Sequence, residues 1–182
     1  KQMKFIKDYL DEYSYCLSNI EKKSIDNIIK IIDRNKNKGR IFFLGVGGSA
    51  ANSSHAVNDF RKLCNIEAYS VSENISEITA RVNDDGWKTS YSNWLKVSKL
   101  TKNDILFILS VGGGNVRKKV SENIIEAIKY AKSKQSKIVG IVGRDGGFTS
   151  KYSDAVVKIP INNKNMITPI TESFQSIIWH CI

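Results

Sequence analysis

From residue 40 onward, the hydrophobic pattern alternates between short apolar runs and longer amphipathic segments. The apolar runs are of strand length and predict strands at 41–44, 67–71, 105–110, 138–142 and 155–159. The intervening segments predict helices over 49–63, 75–81, 88–99, about 117–133, and from Thr168-Pro169 onward, with proline at the first helical position. Continuous apolar strands separated by helices are typical of a parallel sheet covered on both faces. The pattern therefore predicts an α/β fold.

The first 38 residues are predicted to form two helices that end near Gly39. Apolar residues of the first helix recur at spacings of four and three and form a stripe of Ile6, Leu10, Tyr13, Leu17 and Ile20. Such a narrow stripe suits helix-on-helix packing, either within the chain or against another subunit. Since no repeat, low-complexity tract or linker is found, residues 1–182 are predicted to be one domain, with 1–38 as a helical hairpin.

Composition narrows the class of protein. Hydrophobic residues make up 41% and charged residues 25% of the 182 residues, which is typical of a globular chain and not of a disordered one. No apolar stretch is long enough to span a membrane, and no signal peptide is recognised. Three cysteines, Cys16, Cys64 and Cys181, show no metal-binding or disulfide pattern, which predicts buried thiols in a reducing cytoplasm.

The net charge of +10 indicates an affinity for anions, such as phosphorylated metabolites or nucleic acid. The basic residues are 22 Lys and 6 Arg, spread along the chain. Nucleic-acid readers cluster arginine and interleave aromatic residues, and neither feature is present. The charge is therefore interpreted mainly as a compositional bias, with no nucleic-acid partner expected.

Two glycine-rich segments follow predicted strands and precede predicted helices. They are Gly45–Ser49 and Ser110–Asn115, the latter including Gly113 and Gly114. Glycine allows close approach of the backbone to an anion, and a helix N-terminus presents free N–H groups to it. Tight turns also use glycine, but two such loops at one sheet edge predict a phosphate site, built by Ser110–Asn115 and aided by Gly47, Gly48 and Ser49. The third glycine turn, Arg144–Gly147, is interpreted as structural.

A few ionisable side chains are candidates for chemistry. His55 and Asp59 lie four apart on a predicted helix, a spacing that suits either metal chelation or a surface ion pair. Glu172 and His180 lie on the last helix, where a carboxylate at the start and a histidine near the end also suit the helix dipole. They are about 12 Å apart along the axis, so one metal cannot easily take both from one straight helix.

Five segments together, in order and spacing, resemble the phosphoheptose isomerase family of the SIS (sugar isomerase) fold. The segments are Gly45–Ser49 with His55 and Asp59, Asn83-Asp84, Ser110–Asn115, Gly140–Gly147, and Thr168–His180. The resemblance implies a three-layer sandwich with a central parallel five-stranded sheet, flavodoxin-like, plus the two N-terminal helices. It also implies a cytoplasmic homotetramer with active sites at subunit interfaces and one zinc ion per subunit.

The resemblance further implies an activity and its residues. The family isomerises sedoheptulose 7-phosphate to a D-glycero-heptose 7-phosphate for heptose synthesis. By matching position, the family's substrate contacts fall on Val46, Gly47, Gly48, Asn83, Asp84, Ser110, Val111, Gly112, Asn115 and Glu172. Its metal and acid–base positions fall on His55, Asp59, Glu172 and His180.

The chain departs from the family pattern at four places. Val46 replaces an Asn of the first loop, and Gly112–Gly114 replace hydroxyl residues of the second. Asp59 replaces a Glu, and Glu172 replaces a Gln. The shorter carboxylate at position 59 and the additional carboxylate at position 172 are consistent with a subfamily in which a different residue serves as the base.

Aldose–ketose isomerisation passes through an enediol(ate) and needs a base, a proton donor and stabilisation of a developing oxyanion. The sequence predicts Asp59 or Glu172 as the base and His180 as the acid partner, and it does not choose between the two carboxylates. The alternative is a SIS module without catalysis that binds a phosphosugar or a protein partner. Loss of polar residues from both glycine loops favours that alternative, whereas the retained histidines and carboxylates argue against it.

Overall fold

Five parallel strands form one sheet in the structure, a computed structural model that describes residues 2–182. The strand order is β2-β1-β3-β4-β5, and every neighbouring pair is parallel. The bounds are β1 (Ile41–Leu44), β2 (Ala68–Ser70), β3 (Ile105–Ser110), β4 (Lys137–Val142) and β5 (Ala155–Lys158). The predicted α/β fold with a central five-stranded parallel sheet is confirmed.

Helices connect the strands and cover both faces of the sheet. They are α1 (Gln2–Asn19), α2 (Lys22–Asn35), α3 (Gly48–Lys62), α4 (Ile75–Asp85), α5 (Ser90–Val97), α6 (Glu122–Ser133), α7 (Gly147–Tyr152) and α8 (Ile167–Cys181). Short 3₁₀ turns at Trp87–Thr89 and Lys164–Met166 precede α5 and α8. Across residues 2–182, none of the helices combines the length and hydropathy that crossing a membrane requires.

Alternate strand residues point to opposite faces of the sheet and build two cores. Ile41 and Phe43 face the layer of α1, α2, α3 and α8, whereas Phe42 and Leu44 face the layer of α4, α5, α6 and α7. Strand β3 is buried over its whole length, as expected for a central strand covered on both sides. The architecture is therefore the three-layer sandwich that the sequence predicts.

Helix α1 contacts its own domain along one face only. Buried Glu12 accepts hydrogen bonds from the backbone nitrogens of Asn162 and Asn163, and the ring of Tyr13 packs 5.5 Å from that of Phe174. The stripe predicted from the sequence is divided. Tyr13 and Ile20 pack against the core, while three members stay exposed: Ile6, Leu10 and Leu17. The exposed part leaves an apolar surface available for another chain.

Several predicted boundaries are wrong, for local reasons. The sixth helix begins at Glu122 rather than near 117, because Asn115 and Val120 exchange two backbone hydrogen bonds and enclose a turn. Helix α4 continues to Asp85 instead of ending at residue 81. The last helix begins at Ile167, so Pro169 occupies its third position, where the missing N–H is still not required.

Gly39 and two of the three cysteines also differ from their predicted roles. Helix α2 ends at Asn35, and Gly39 serves a close approach instead, since a Cβ there would lie 2.1 Å from the carbonyl oxygen of Asn103. Only Cys16 is a buried thiol; Cys64 and Cys181 are exposed because one follows the end of α3 and the other ends α8.

Candidate functional site

The switch in strand order places both glycine loops at one crevice. The chain runs from β1 outward to β2 and then returns to β3 on the other side of β1. Ligands of open parallel sheets bind outside the carboxyl ends of the strands at such a switch point. Gly45–Ser49 follows β1 and Ser110–Asn115 follows β3, so the two candidate loops flank this crevice.

The first loop turns directly into α3. Gly47 has a φ of 62°, a conformation that favours glycine, and the buried hydroxyl of Tyr91 donates to the carbonyl of Gly45 over 2.6 Å. A Cβ on Gly48 would lie 2.6 Å from the carboxylate of Glu172. The predicted substrate residue Gly48 and the predicted catalytic residue Glu172 are therefore in direct contact at the start of α3.

The second loop is held by its neighbours. The hydroxyl of Ser110 accepts a hydrogen bond from the nitrogen of Gly113 over 3.0 Å, and the hydroxyl of Thr149 donates to the Gly113 carbonyl over 2.8 Å. Gly113 has a φ of 67°, and a Cβ there would lie 1.9 Å from the carbonyl oxygen of Gly146. Glycine at position 113 is thus required by packing, and the turn at Gly146 is structural as the sequence indicates.

Two clefts with shared lining residues lie at this edge of the sheet, one between the two glycine loops and one beside the second loop. The first, here called the central cleft, measures about 230 Å³ and is lined by Val46, Ser49, Ser110, Val111, Gly112, Val120, Ser121, Arg144 and Thr168. The second, the side cleft, measures about 210 Å³ and is lined by Gly112, Gly114, Asn115, Lys118, Val120, Arg144 and Asp145. Both predicted loops therefore contribute residues to the cavity walls.

A larger depression of about 560 Å³ lies at the opposite edge of the sheet, near Arg40, Thr101 and Asp104. It lies at the amino ends of the strands and contains the ion pair between Arg40 and Asp104. Since the loops, the helix N-terminus and the candidate acid–base groups are all absent from this edge, we assign the functional site to the smaller clefts.

Helices α3 and α8 bring three predicted ligands together. Oδ2 of Asp59 lies 3.5 Å from Nε2 of His55 and 3.1 Å from Nε2 of His180. One donor atom from each residue lies within 4.8 Å of the other two. This group, here called the histidine cluster, joins residues 121 positions apart in the chain, because α3 and α8 pack side by side.

The carboxylate of Asp59 is held in its charged form. Partial burial raises its pKa, but hydrogen bonds from Trp179 and Asn58 and the nearby His55 and His180 outweigh burial, and the net pKa is lowered. The indole nitrogen of Trp179 donates to Oδ2 over 3.2 Å. Asp59 is therefore an anion at neutral pH with a fixed orientation.

The environment of His180 decides which nitrogen faces the cluster. Nδ1 lies 2.7 Å from the carbonyl oxygen of Ser176, an acceptor only, so Nδ1 carries the proton. In the neutral ring, Nε2 then directs its lone pair toward Asp59, and in the charged ring Nε2–H donates to it. This arrangement of a ring nitrogen fixed by a backbone carbonyl is typical of metal-ligating and acid–base histidines.

A polar chain connects the cluster side of α8 with the cleft. The amide of Gln175 donates to the hydroxyl of Ser49 over 2.9 Å, and Asn52 donates both to the Gln175 carbonyl and to the Glu172 backbone, each over 2.8 Å. Ser49 and His55 are six residues apart on α3, about 9 Å along the axis. Helix α3 thus carries both Ser49, which lines the central cleft, and His55, which belongs to the histidine cluster.

Two sets of predicted site residues stay apart from the cluster within one chain. Glu172 contacts Gly48 and is not a member of the histidine cluster of residues 2–182. This agrees with the 12 Å helical separation from His180, and its role as a metal ligand stays a prediction. Asn83 and Asp84 are exposed at the end of α4, where the Asn83 amide donates to Asp84 over 2.7 Å. They line neither cleft, and their contact with substrate also stays a prediction.

The sequence does not predict two residues that the structure places in the site, Arg144 and Trp179. Arg144 lines both clefts, although its segment was interpreted as structural. Its position directly after β4, at the carboxyl edge of the sheet, is the signal that could have found it. Trp179 contacts Asp59, and no local pattern indicates this because the contact depends on the packing of α8 against α3.

A cleft between glycine loops at the switch point of a five-stranded parallel sheet is the ligand site of a doubly wound α/β domain. The sequence model of the SIS domain family matches residues 8–143 and identifies this domain as a SIS domain. The chain is 32% identical over 164 residues to a phosphoheptose isomerase of Cytophaga hutchinsonii, covering 83% of this chain and 81% of the relative. It is 27% identical over 181 residues to one of Helicobacter pylori, covering 97% and 89%. The chain belongs to the phosphoheptose isomerase family of SIS domains.

Solved structures share the fold. The phosphoheptose isomerase of Neisseria gonorrhoeae superposes with a TM-score of 0.84 at 23% identity, covering all of this chain and 97% of the other. The phosphoheptose isomerase of Francisella tularensis gives the same TM-score and identity, with 95% of its chain covered. These similarities establish that the whole described chain, including α1 and α2, follows one architecture.

Proposed function

We propose that the protein is an aldose–ketose isomerase that converts sedoheptulose 7-phosphate to a D-glycero-heptose 7-phosphate. The observation that carries this proposal is the 3.1 Å contact between His180 and Asp59, a histidine and an ionised carboxylate held together beside a glycine-loop cleft. Membership in the phosphoheptose isomerase family supports the class of reaction. The similar proteins of Cytophaga hutchinsonii and Helicobacter pylori carry that name.

Asp59 and His180 are assigned to proton transfer. The reaction moves a proton between C1 and C2 of the sugar through an enediol(ate), which requires a base at carbon and a proton donor at oxygen. Asp59 is an anion at neutral pH and can accept the proton; its lowered pKa keeps the carboxylate ionised but does not make it a stronger base. The charged ring of His180 can donate from Nε2, with Nδ1 fixed on the Ser176 carbonyl. Glu172 of α8, which contacts Gly48 at the start of α3, is assigned to orient the sugar hydroxyls.

The phosphate is assigned to the loop after β3. Backbone N–H groups of the glycine loop and the side chains of Ser110 and Ser121 face the central cleft. Binding of the remote phosphate holds the reacting end of the sugar in place, so that this binding energy lowers the barrier for proton transfer. The sugar then extends along α3, from Ser49 toward the histidine cluster.

The donor set of the histidine cluster fits a zinc ion. Two imidazoles and a carboxylate with donor atoms within 4.8 Å of one another are ligands that zinc accepts, and catalytic zinc sites use three protein ligands with an open position. We assign His55, Asp59 and His180 as these ligands; because zinc and a proton compete for Nε2 of His180, the ring is a ligand in the zinc-bound protein and the proton donor in the zinc-free protein. When bound, zinc would polarise the substrate oxygens and stabilise negative charge on them.

The chain is proposed to act as a homotetramer in the cytoplasm. The exposed apolar side chains of α1 support an association, since contiguous apolar surface marks an interaction site. The side chains of His55 and His180 are about half exposed on the same layer of the sandwich, and a neighbouring subunit there would enclose the cluster. Three free cysteines support a reducing compartment.

The test is turnover of sedoheptulose 7-phosphate, followed by NMR in D₂O. An enediol(ate) route requires isomerisation with incorporation of solvent deuterium at the carbon that receives the proton. The variant His180→Ala should abolish both while its circular dichroism spectrum stays native, because the ring is exposed at the end of α8. Binding of the phosphosugar by the native protein without isomerisation or exchange would contradict the proposal and favour a binding module.

A further inference from the structure

Arg144 occupies a unique place among the cations near the site. It lines both the central cleft and the side cleft, and it is the one cationic side chain among the residues that line the central cleft. None of the ion pairs among residues 2–182 involves it. The neighbouring carboxylate of Asp145 accepts a hydrogen bond from the nitrogen of Gly147 over 3.1 Å. The guanidinium therefore forms no ion pair among the described residues, although the carboxylate of Asp145 lines the side cleft with it.

The backbone of Arg144 is strained to reach this place. Its φ is 49°, in the left-handed region that arginine rarely adopts. Five other non-glycine residues of the described chain share a positive φ, among them exposed Lys99 and Lys119, so this conformation alone does not indicate a function. Among the cations of residues 2–182 with a positive φ, Arg144 is the one that lines the clefts. The next two glycines, Gly146 and Gly147, pack on the loop that follows β3 and hold the turn in this conformation.

The adjoining loop offers little to bind a dianion through side chains. Val111, Gly112, Gly113 and Gly114 have no hydroxyl group, and the hydroxyl of Ser110, which accepts the N–H of Gly113 and keeps its own O–H, is the one side-chain donor in residues 110–114. Backbone N–H groups can point to phosphate oxygens, but they supply only partial charge. A guanidinium presents several N–H donors in a planar fork that matches two phosphate oxygens.

We propose that Arg144 binds the phosphate group of the substrate and supplies the full positive charge that the glycine loop does not. This inference rests on the proposed function, since it assigns a ligand within the same site. It makes Arg144 a specificity-determining residue that separates phosphorylated from unphosphorylated sugars. Lys118 lines only the side cleft, whereas Arg144 lines both clefts.

The test compares Arg144→Asn with Lys119→Asn. Asparagine tolerates a positive φ, so the turn is kept while the charge is lost. Lys119 is a matched control, because it is exposed, has a φ of 53° and lines neither cleft. Steady-state kinetics with sedoheptulose 7-phosphate should show kcat/KM lowered about 10- to 100-fold in Arg144→Asn, since the lost phosphate contact weakens binding and the positioning that it supports. Lys119→Asn should keep the native kcat/KM.

Calorimetry with inorganic phosphate separates this inference from the proposed activity. Arg144→Asn should weaken phosphate binding at least about tenfold relative to native protein and to Lys119→Asn. This comparison is decisive even if the native protein does not isomerise sedoheptulose 7-phosphate. Equal phosphate affinity in all three proteins, or equal weakening in both variants, overturns the inference. If Arg144→Asn does not fold, Arg144→Gly replaces it, since glycine relieves the strain and should raise the melting temperature.

Discussion

One carboxylate oxygen of Asp59 receives the indole N–H of Trp179 over 3.2 Å and also faces both histidines of the cluster. The indole is buried, and its ring lies edge-on to His55 with centroids 5.3 Å apart. Trp179 therefore sets the direction in which Asp59 presents its free lone pairs. A side chain as short as Asp can serve here because α8 supplies this partner.

The first prediction concerns Trp179 as a positioning residue. Trp179→Phe keeps an aromatic ring but removes the donor to Asp59, and a hydrogen bond to a charged group contributes about 1.5–3 kcal/mol. We expect kcat for sedoheptulose 7-phosphate to fall about tenfold or more, with KM unchanged, because the phosphate end of the site is untouched. Zinc content measured by mass spectrometry should fall in parallel.

Trp94→Phe is the matched control for this variant. Trp94 is half-buried against Phe42 in the opposite helical layer, with ring centroids 5.6 Å apart. It should lose comparable packing and lower the melting temperature without changing kcat. Equal loss of kcat in the two variants would show that Trp179 acts through stability alone.

A second prediction separates the two candidate bases. Asp59→Asn keeps the size of the side chain but removes the charge, and loss of a general base lowers turnover about 10²- to 10⁴-fold. Glu172→Gln keeps a polar group against Gly48, so we expect a smaller loss, mainly in KM. Deuterium exchange at the sugar carbon, measured for both variants, checks the assignment. Loss of exchange in Glu172→Gln with retention in Asp59→Asn would reverse the two roles.

The third prediction concerns stability at the opposite edge of the sheet. Buried Asp104 accepts hydrogen bonds from Arg40, through its backbone and guanidinium, and from Thr101. These contacts join the segments that precede β1 and β3. Asp104→Asn should lower the free energy of unfolding at pH 7 by about 3 kcal/mol, because Arg40 loses its partner. Asp11→Asn, in an exposed pair with Lys7, should change it by less than about 1 kcal/mol.

The pH dependence of this effect follows from the pKa of Asp104. Burial raises that pKa, but the hydrogen bonds and charge of Arg40 and the backbone of Thr101 outweigh burial, and the net pKa is lowered. The charged form therefore stabilises the folded state above the unfolded pKa of about 3.9. As pH falls through the lower folded pKa, this contribution is lost. In urea titrations, the difference between native protein and Asp104→Asn should begin to shrink as the pH falls below about 4 and should continue to shrink until the pH is below the folded pKa; a constant difference would contradict this assignment.

The fourth prediction concerns the surface of α1. Leu10 is 58% and Ile6 is 49% exposed, so lysine at these positions should leave the helix intact while it disrupts an apolar interface. Light scattering should show a tetramer for native protein and smaller species for Ile6→Lys/Leu10→Lys. Val97→Lys, at an exposed position on α5, is the control and should remain a tetramer. A native protein that scatters as a monomer at micromolar concentration would refute the assembly.

The strands and the glycine loops could be predicted from the sequence because their signals are local. A run such as Ile105–Ser110 is apolar at nearly every position, and only a strand covered on both faces needs that composition. Helix boundaries could not be predicted from the hydrophobic pattern where a short-range hydrogen bond determines them. Asn115 caps the turn that delays α6 through its bond to the nitrogen of Lys118, a choice that periodicity does not reveal.

The sequence predicts only part of the grouping of the site residues. His55 and Asp59 could be paired from their spacing of four, whereas their contact with His180 depends on the crossing of two helices far apart in sequence. Arg144 was missed because a glycine-rich turn is usually structural, and the orientation of its side chain into two clefts is a tertiary property.

Helix α3 begins in the central cleft with Ser49 and carries His55 farther along. Each helical residue advances about 1.5 Å and turns by about 100°. An insertion of one residue between these positions would rotate His55 away from α8, whereas an insertion of a full turn would restore its direction and lengthen the site by about 5.4 Å. The rigid helix therefore fixes both the separation and the angular offset of these two residues. Over the six residues from Ser49 to His55, the helix advances about 9 Å and turns through about 600°, so the two side chains leave α3 about 120° apart.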